Sequence, residues 1–257
     1  MKPIAAFIKK EILELIRTGR LLILTILFIL FGIMNPAIAK LTPWLMKMMS
    51  ESLSETGLIL TEININAMTS WTQFYKNIPI ALLIFLLLVS STLTSEYQKG
   101  TLINIITKGL ARWKIFISKT LVIFLLWTIE FWLCFWITYG YNNYFWDNKI
   151  ASHLFFSAFC YYLAGIWFIS LLFLMSALFQ TNSIVLLISG AVFLLFYFAS
   201  FFSDIKKYLP VTLLNSSYLL AGNNNISEYS FAIIFTLLLL IINIGVGIII
   251  FNKREIK

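Results

Sequence analysis

Six apolar runs, each long enough to cross a bilayer, decide what this chain can fold into. They cover roughly residues 21–39, 77–95, 115–139, 153–179, 184–203 and 229–251. About 20 consecutive apolar residues span the hydrocarbon as a helix, and a helix satisfies its own backbone there. The 257 residues are 60% hydrophobic and only 12% charged, about half the charge of an ordinary soluble domain. Water could not hold that much apolar surface, and no stretch outside the runs is long enough for a soluble domain. The fold class predicted is an all-α membrane protein, one domain over 1–257 with six transmembrane helices.

An even number of spans puts both termini on one side. Lys and Arg choose the side. Lys2, Lys9, Lys10, Arg17 and Arg20 precede the first run, and Lys99, Lys108, Arg112, Lys114 and Lys119 fill the gap between the second and third. Lys253, Arg254 and Lys257 follow the last. The opposite face has only Lys40, Lys47, Lys76, Lys149, Lys206 and Lys207, spread over longer loops. Both termini are therefore predicted to be cytoplasmic, in a bacterial cell membrane. The net charge of +8 is then explained by topology and anionic lipid, and calls for no nucleic acid. Trp44, Trp71, Tyr141, Trp146 and Tyr208 fall at predicted outer ends, and Trp113 at an inner one, where amphipathic rings belong. The first run follows a charged segment and lacks a cleavage signature, so it reads as an anchor.

Three segments outside the runs have their own character. Residues 3–17 predict an amphipathic helix lying in the inner interface, with Ile4, Phe7, Ile8, Ile12, Leu15 and Ile16 at helical spacing. Glu11 falls in the middle of that apolar face. It is either an interfacial acid whose carboxyl reaches water or a partner for a cation, with Arg112 and Lys119 as candidates. Residues 40–76 read as a long outer loop. Residues 204–228 hold Pro210 and the apolar run VTLLNSSYLLA, too short to span, which predicts a re-entrant dip into the outer leaflet before the last helix.

Little here resembles catalytic chemistry. Cys134 and Cys160 stand alone inside apolar runs and read as packing residues. An intramembrane enzyme would have to draw on Glu130, His153, Ser170 and Asp204, which give no paired carboxylates, metal spacing or Ser–base pair. Glu130 is the one acid deep in a span, where an ionisable group costs roughly 2.5–3.5 kcal/mol. It should face protein or water, either touching a cationic or amphipathic substrate or fixing packing through a polar residue such as Asn243.

The stretch SEYQKGTLINIITKGLARWKIFISK, residues 95–119, is the most informative. Gly100 can end one helix in the left-handed conformation, and Thr101 can cap the next. A two-turn apolar helix follows, with Leu102, Ile103, Ile105 and Ile106, until Gly109 stops it. Such a short helix is unstable alone, so a separate cytoplasmic partner is expected to receive it. Glu96 and Arg112 flank it and are expected to hold the neighbouring helices.

Taken in order, Glu96, Gly100-Thr101-Leu102, the short helix, Arg112-Trp113-Lys114 and Lys119 resemble the permease subunits of the type-2 ATP-binding-cassette (ABC-2) exporters. The acid-bearing N-terminal helix, the six spans, the outer segment before the last span and the tail Phe251-Asn252-Lys253-Arg254-Glu255-Ile256 are similar to that family too. The resemblance implies an exporter of two permease subunits, as a homodimer or a related heterodimer, with two cytoplasmic ATPase subunits and 101–109 as the coupling helix. There is no GxxxxGK[ST] in the chain, so ATP and Mg are expected in the partner and no cofactor in this subunit. Hydrophobic or amphipathic cargo, such as a peptide toxin, bacteriocin or antibiotic, is implied by analogy. An ATP-independent channel or carrier is the alternative.

Overall fold

Lipid leaves the backbone of an apolar run one economical choice, to close its hydrogen bonds within itself. The computed structural model describes residues 2–53, 65–107, 109–222 and 225–254. Among these there is no strand. The helices are α1 (Lys2–Arg17), α2 (Arg20–Leu53), α3 (Ala67–Val89), α4 (Ser91–Gln98), α5 (Thr101–Thr107), α6 (Arg112–Phe145), α7 (Leu154–Leu178), α8 (Asn182–Ala199), α9 (Ser203–Lys206) and α10 (Ser230–Lys253). Two 3-10 stretches, Pro210–Ala221 and Ile226–Tyr229, lead into α10. Six segments have the length and composition of membrane spans: Arg20–Met48, Ala67–Gln98, Arg112–Phe145, Leu154–Leu178, Asn182–Ala199 and Ile226–Lys253. The chain is a multi-pass membrane protein.

The boundaries depart from the sequence reading in one place above all. Residues 40–53 are not loop but the continuation of α2, through Pro36 and Pro43. Leu41, Trp44, Leu45 and Met48 recur at helical spacing and stay exposed, an apolar stripe that continues past Lys40. On the other side, the Asn66 carboxamide caps α3 by accepting from the Met68 amide at 3.0 Å. Only the residues between α2 and α3 are left as a connection, and 54–64 lie outside the described residues.

α7 is the centre of the bundle. The apolar stretch of its span is 78% buried, against 11% for α8 and 17% for α10. α6 approaches it closely because Gly165 leaves room for an indole: a Cβ there would lie 2.4 Å from Trp127 Cζ2. Small residues allow such approach between membrane helices. Phe28, Phe85 and Phe131 surround the Trp127 ring at 5.9, 5.3 and 5.5 Å.

A polar seam joins α2 and α6. Glu130, Cys134, Thr138 and Asn142 follow at four-residue intervals and are all fully buried. The Thr25 hydroxyl donates to Glu130 Oε1 at 2.7 Å. Farther along, Asn77 donates to Asn35 (2.8 Å), Asn35 to Thr138 (3.1 Å) and Thr138 to the Gly32 carbonyl (3.0 Å). Polar side chains inside a bilayer bond to one another when lipid offers nothing better.

Candidate functional site: an ion-paired collar around the short helix

The short helix α5 sits where two glycines release the chain. Gly100 and Gly109 have φ of 64° and 86°, the left-handed region that side chains with a Cβ avoid. α5 thus begins and ends at glycine stops, and Thr101 is its first residue rather than its cap. Leu102 is fully buried in the chain's own core, whereas Ile103 is 41% exposed and Ile106 half-buried. Leu102 therefore cannot present itself to a partner as the sequence reading expected. Its neighbour Ile103 can. The Ile105 side chain lies outside the described residues.

The flanks of α5 are tied to α1 by buried charges. α1 turns Phe7, Glu11 and Leu15, one residue every four, into the bundle. Glu11 Oε2 accepts from Lys119 Nζ at 2.7 Å, so the acid on the apolar face pairs with Lys119 and not with Arg112. The fully buried Lys119 ammonium also lies 3.2 Å from Glu96 Oε1 and donates to the Thr92 carbonyl at 3.1 Å. Three donors find three acceptors, which is what a buried ammonium requires. Lys119 on α6 thereby holds α1 and α4 at once.

Lys10 closes the cluster from the rim. Its ammonium reaches Glu11 Oε1 (2.9 Å), Glu96 Oε1 (2.8 Å) and Glu14 Oε2 (2.9 Å). Burial opposes its charge, but the bonds to Glu96, Glu11 and Glu14 outweigh that, and the Lys10 pKa is raised above its ordinary value. Burial likewise opposes the Glu14 carboxylate, yet the bond to Lys10 wins and its pKa is lowered. The carboxylates of Glu11, Glu14 and Glu96 converge within 4.8 Å, a spacing that could hold a metal ion, but the Lys10 ammonium already binds all three.

The other end of the chain joins the same collar. Arg112 Nη1 donates to the carbonyls of Asn252 (3.1 Å) and Arg254. Arg254 donates to the Ala177 carbonyl at 2.6 Å and lays its guanidinium 4.7 Å from the centre of the Tyr97 ring. Arg20 donates to Ser91 Oγ at 2.9 Å. The beginnings of α2 and α6 and the ends of α7 and α10 are therefore bound to the segments flanking α5. Glu96 and Arg112 both belong to it, while the parts that Lys10, Thr92, Tyr97 and Arg254 play in it were not foreseen from sequence. The i,i+4 spacing of Lys10 and Glu14 was the one legible signal among these.

The remaining candidates are scattered. Asn243 donates to Ser170 Oγ at 3.0 Å and not to Glu130, whose partner is Thr25. His153 immediately precedes α7 and Ser170 lies within it, roughly 25 Å away at 1.5 Å per residue. Asp204 is exposed at the start of α9. No nucleophile–base pair forms among them. Glu255 and Ile256 of the tail lie outside the described residues.

Comparison with curated proteins finds no match. The profile of DUF2705, described as a protein of unknown function, matches residues 45–257 and so takes in α3 to α10 and most of the collar, and the chain belongs to that family.

Proposed function

We propose that this chain is the membrane-spanning permease subunit of an ATP-driven exporter, with the ATPase on a separate chain. The observation that carries this reading is the collar: a two-turn helix between glycine stops, with exposed Ile103, whose flanks are lashed to α1, α6, α7 and α10. A push on α5 reaches the spans through Glu96–Lys119–Glu11 on one side and Arg112 on the other. That is the linkage a coupling helix needs. In this reading α5 and both termini face the cytoplasm, α1 lies along the inner interface with Ile12, Leu13 and Ile16 toward lipid, and Pro210–Ala221 re-enters from the outside. Two ATPase copies bind ATP and Mg, a second permease copy completes the assembly, and the cargo is hydrophobic or amphipathic, such as a peptide toxin or bacteriocin. Glu130, bonded to Thr25 within the seam, is a packing residue in this scheme.

The test is purification of the tagged chain from its own host, with assay of the proteins that come with it for ATP hydrolysis. Wild type should carry ATP hydrolysis, and the Ile103→Asp/Ile106→Asp variant should lose both ATPase and activity. Burying each aliphatic side chain is worth roughly 1.5–3 kcal/mol, and the charges forfeit it. Full activity retained by the double variant would sink the coupling role of α5.

A further inference from the structure

At the end of the bundle away from Glu11, the segment between α8 and α10 lines an open cavity of about 510 Å³, within the range of small-ligand sites. Lys206, Lys207, Thr212, Asn215 and Glu228 line it, and Phe231 closes one side. The walls are fixed by the backbone. The Thr212 hydroxyl donates to the Lys206 carbonyl, and the Tyr229 hydroxyl donates to the Asn215 carbonyl at 3.0 Å. Among the described residues, neither Lys206, Lys207 nor Glu228 makes an ion pair. The Lys207 ammonium lies 5.0 Å from the centre of the Tyr208 ring, and all three charged residues are exposed.

The cavity opens onto an apolar track. Phe231, Ile234, Leu238 and Ile241 follow one another down α10 at three- and four-residue spacing and are 55%, 56%, 51% and 65% exposed. Phe231 belongs to both the cavity and the track. Two ammoniums and one carboxylate over an apolar strip match a molecule with a phosphate, an amine and a long hydrocarbon tail. Charge-assisted bonds from two lysines suit a phosphate, and lysines near a membrane surface attract anionic headgroups. A carboxylate lining the same cavity suits an ammonium.

We propose that this cavity is a binding site for a phospholipid with an amine-bearing headgroup, of the phosphatidylethanolamine class. Lys206 and Lys207 hold the phosphate, Glu228 holds the amine, and a chain lies along α10 from Phe231. This assignment does not rest on the transporter reading.

The experiment is native mass spectrometry of the full chain released from phosphatidylcholine nanodiscs doped with phosphatidylethanolamine or phosphatidylglycerol. Wild type should retain phosphatidylethanolamine preferentially. Lys206→Gln/Lys207→Gln should lower retention of both doped lipids roughly tenfold. Glu228→Gln should erase the preference while leaving phosphatidylglycerol bound. These residues are exposed, so the variants should keep the wild-type melting temperature, and Lys9→Gln at the far end should change nothing. Retention unchanged in the double lysine variant overturns the site. Competition by water-soluble glycerophosphoethanolamine as effective as that by the lipid overturns the role of the α10 track and makes the ligand a free phosphate compound.

Discussion

Replacing Lys119 with Met tests the collar where it is most sensitive. Met keeps most of the stem volume and removes the ammonium. Glu11 Oε2 at 2.7 Å and the Thr92 carbonyl at 3.1 Å lose their donor, and Glu96 Oε1, 3.2 Å from Lys119, is left with Lys10 alone at 2.8 Å. Glu11 and Glu96 are 3% and 4% exposed, so water cannot replace it. Removing one partner of a buried ion pair costs about 3–5 kcal/mol. For a chain of this size each kcal/mol lowers the melting temperature by about 2–4 °C, a drop of roughly 6–20 °C. Lys10 softens the loss by holding the other Glu11 oxygen, so the lower half of that range is expected. Intrinsic tryptophan fluorescence during heating, in detergent, reads it. Glu11→Gln should cost less, because Lys119 keeps Glu96 and Thr92, and the double variant Glu11→Gln/Lys119→Met should recover part of the single Lys119→Met loss. A charge swap between positions 11 and 119 should rescue poorly, since it sets a carboxylate beside Glu96. If Lys119→Met melts within about 2 °C of wild type, less than roughly 1 kcal/mol, the buried cluster does not hold the collar together.

Three further outcomes follow from the geometry. Gly165→Ala should destabilise strongly, by roughly 1–3 kcal/mol or more, because its methyl meets the Trp127 ring at 2.4 Å; pairing it with Trp127→Leu should relieve the loss, and no relief would mean that the contact is not the cause. Glu130→Gln should keep the Thr25 bond and melt near wild type, whereas Thr25→Val should cost roughly 1–3 kcal/mol by stripping a buried carboxyl of its partner; equal melting of Thr25→Val and wild type would show that the bond contributes nothing. The raised Lys10 pKa contributes stability that is present below the ordinary 10.5 and is lost as pH rises past it, while the lowered Glu14 pKa contributes stability present above the ordinary 4.5 and lost as pH falls below it. The melting difference between wild type and Lys10→Met/Glu14→Gln should therefore be flat from roughly pH 5 to 10 and shrink on either side; a difference that peaks outside that window would contradict the pairing.

Much of the architecture could be read from the chain alone, for reasons that particular residues make plain. The six spans announce themselves because lipid demands long apolar runs, and Gly100 and Gly109 mark the limits of α5 because few other residues tolerate those dihedrals. Glu11 stood out because helical periodicity placed it on an apolar face, where it had either to reach water or to meet a cation. Its choice of Lys119 over Arg112 was not legible. Both lie near the start of α6, and only the packing of α1 decides between them. Thr25 as the partner of Glu130 was hidden for the same reason, since any polar residue on any neighbouring span was an equal candidate. The length of α2 was masked by Lys40 and Pro43, which look like an ending but lie within an unbroken helix. Leu102 and Ile103 are adjacent and equally apolar, so the sequence could not say which one turns inward.

The central position of α7 has a consequence for biosynthesis. Its long faces are covered by α6, already made, by α8, which follows it directly, and by α10 and the Pro210–Ala221 stretch, which come later. Until Pro210–Ala221 and α10 leave the ribosome, one side of α7 has only lipid or the insertion machinery against it, and Ser170 waits without Asn243. A chain truncated after Ala199 would insert five spans yet leave its middle helix half-clad. α10 and the Pro210–Ala221 stretch are thus the cover that α7 receives only after α6 and α8 are in place.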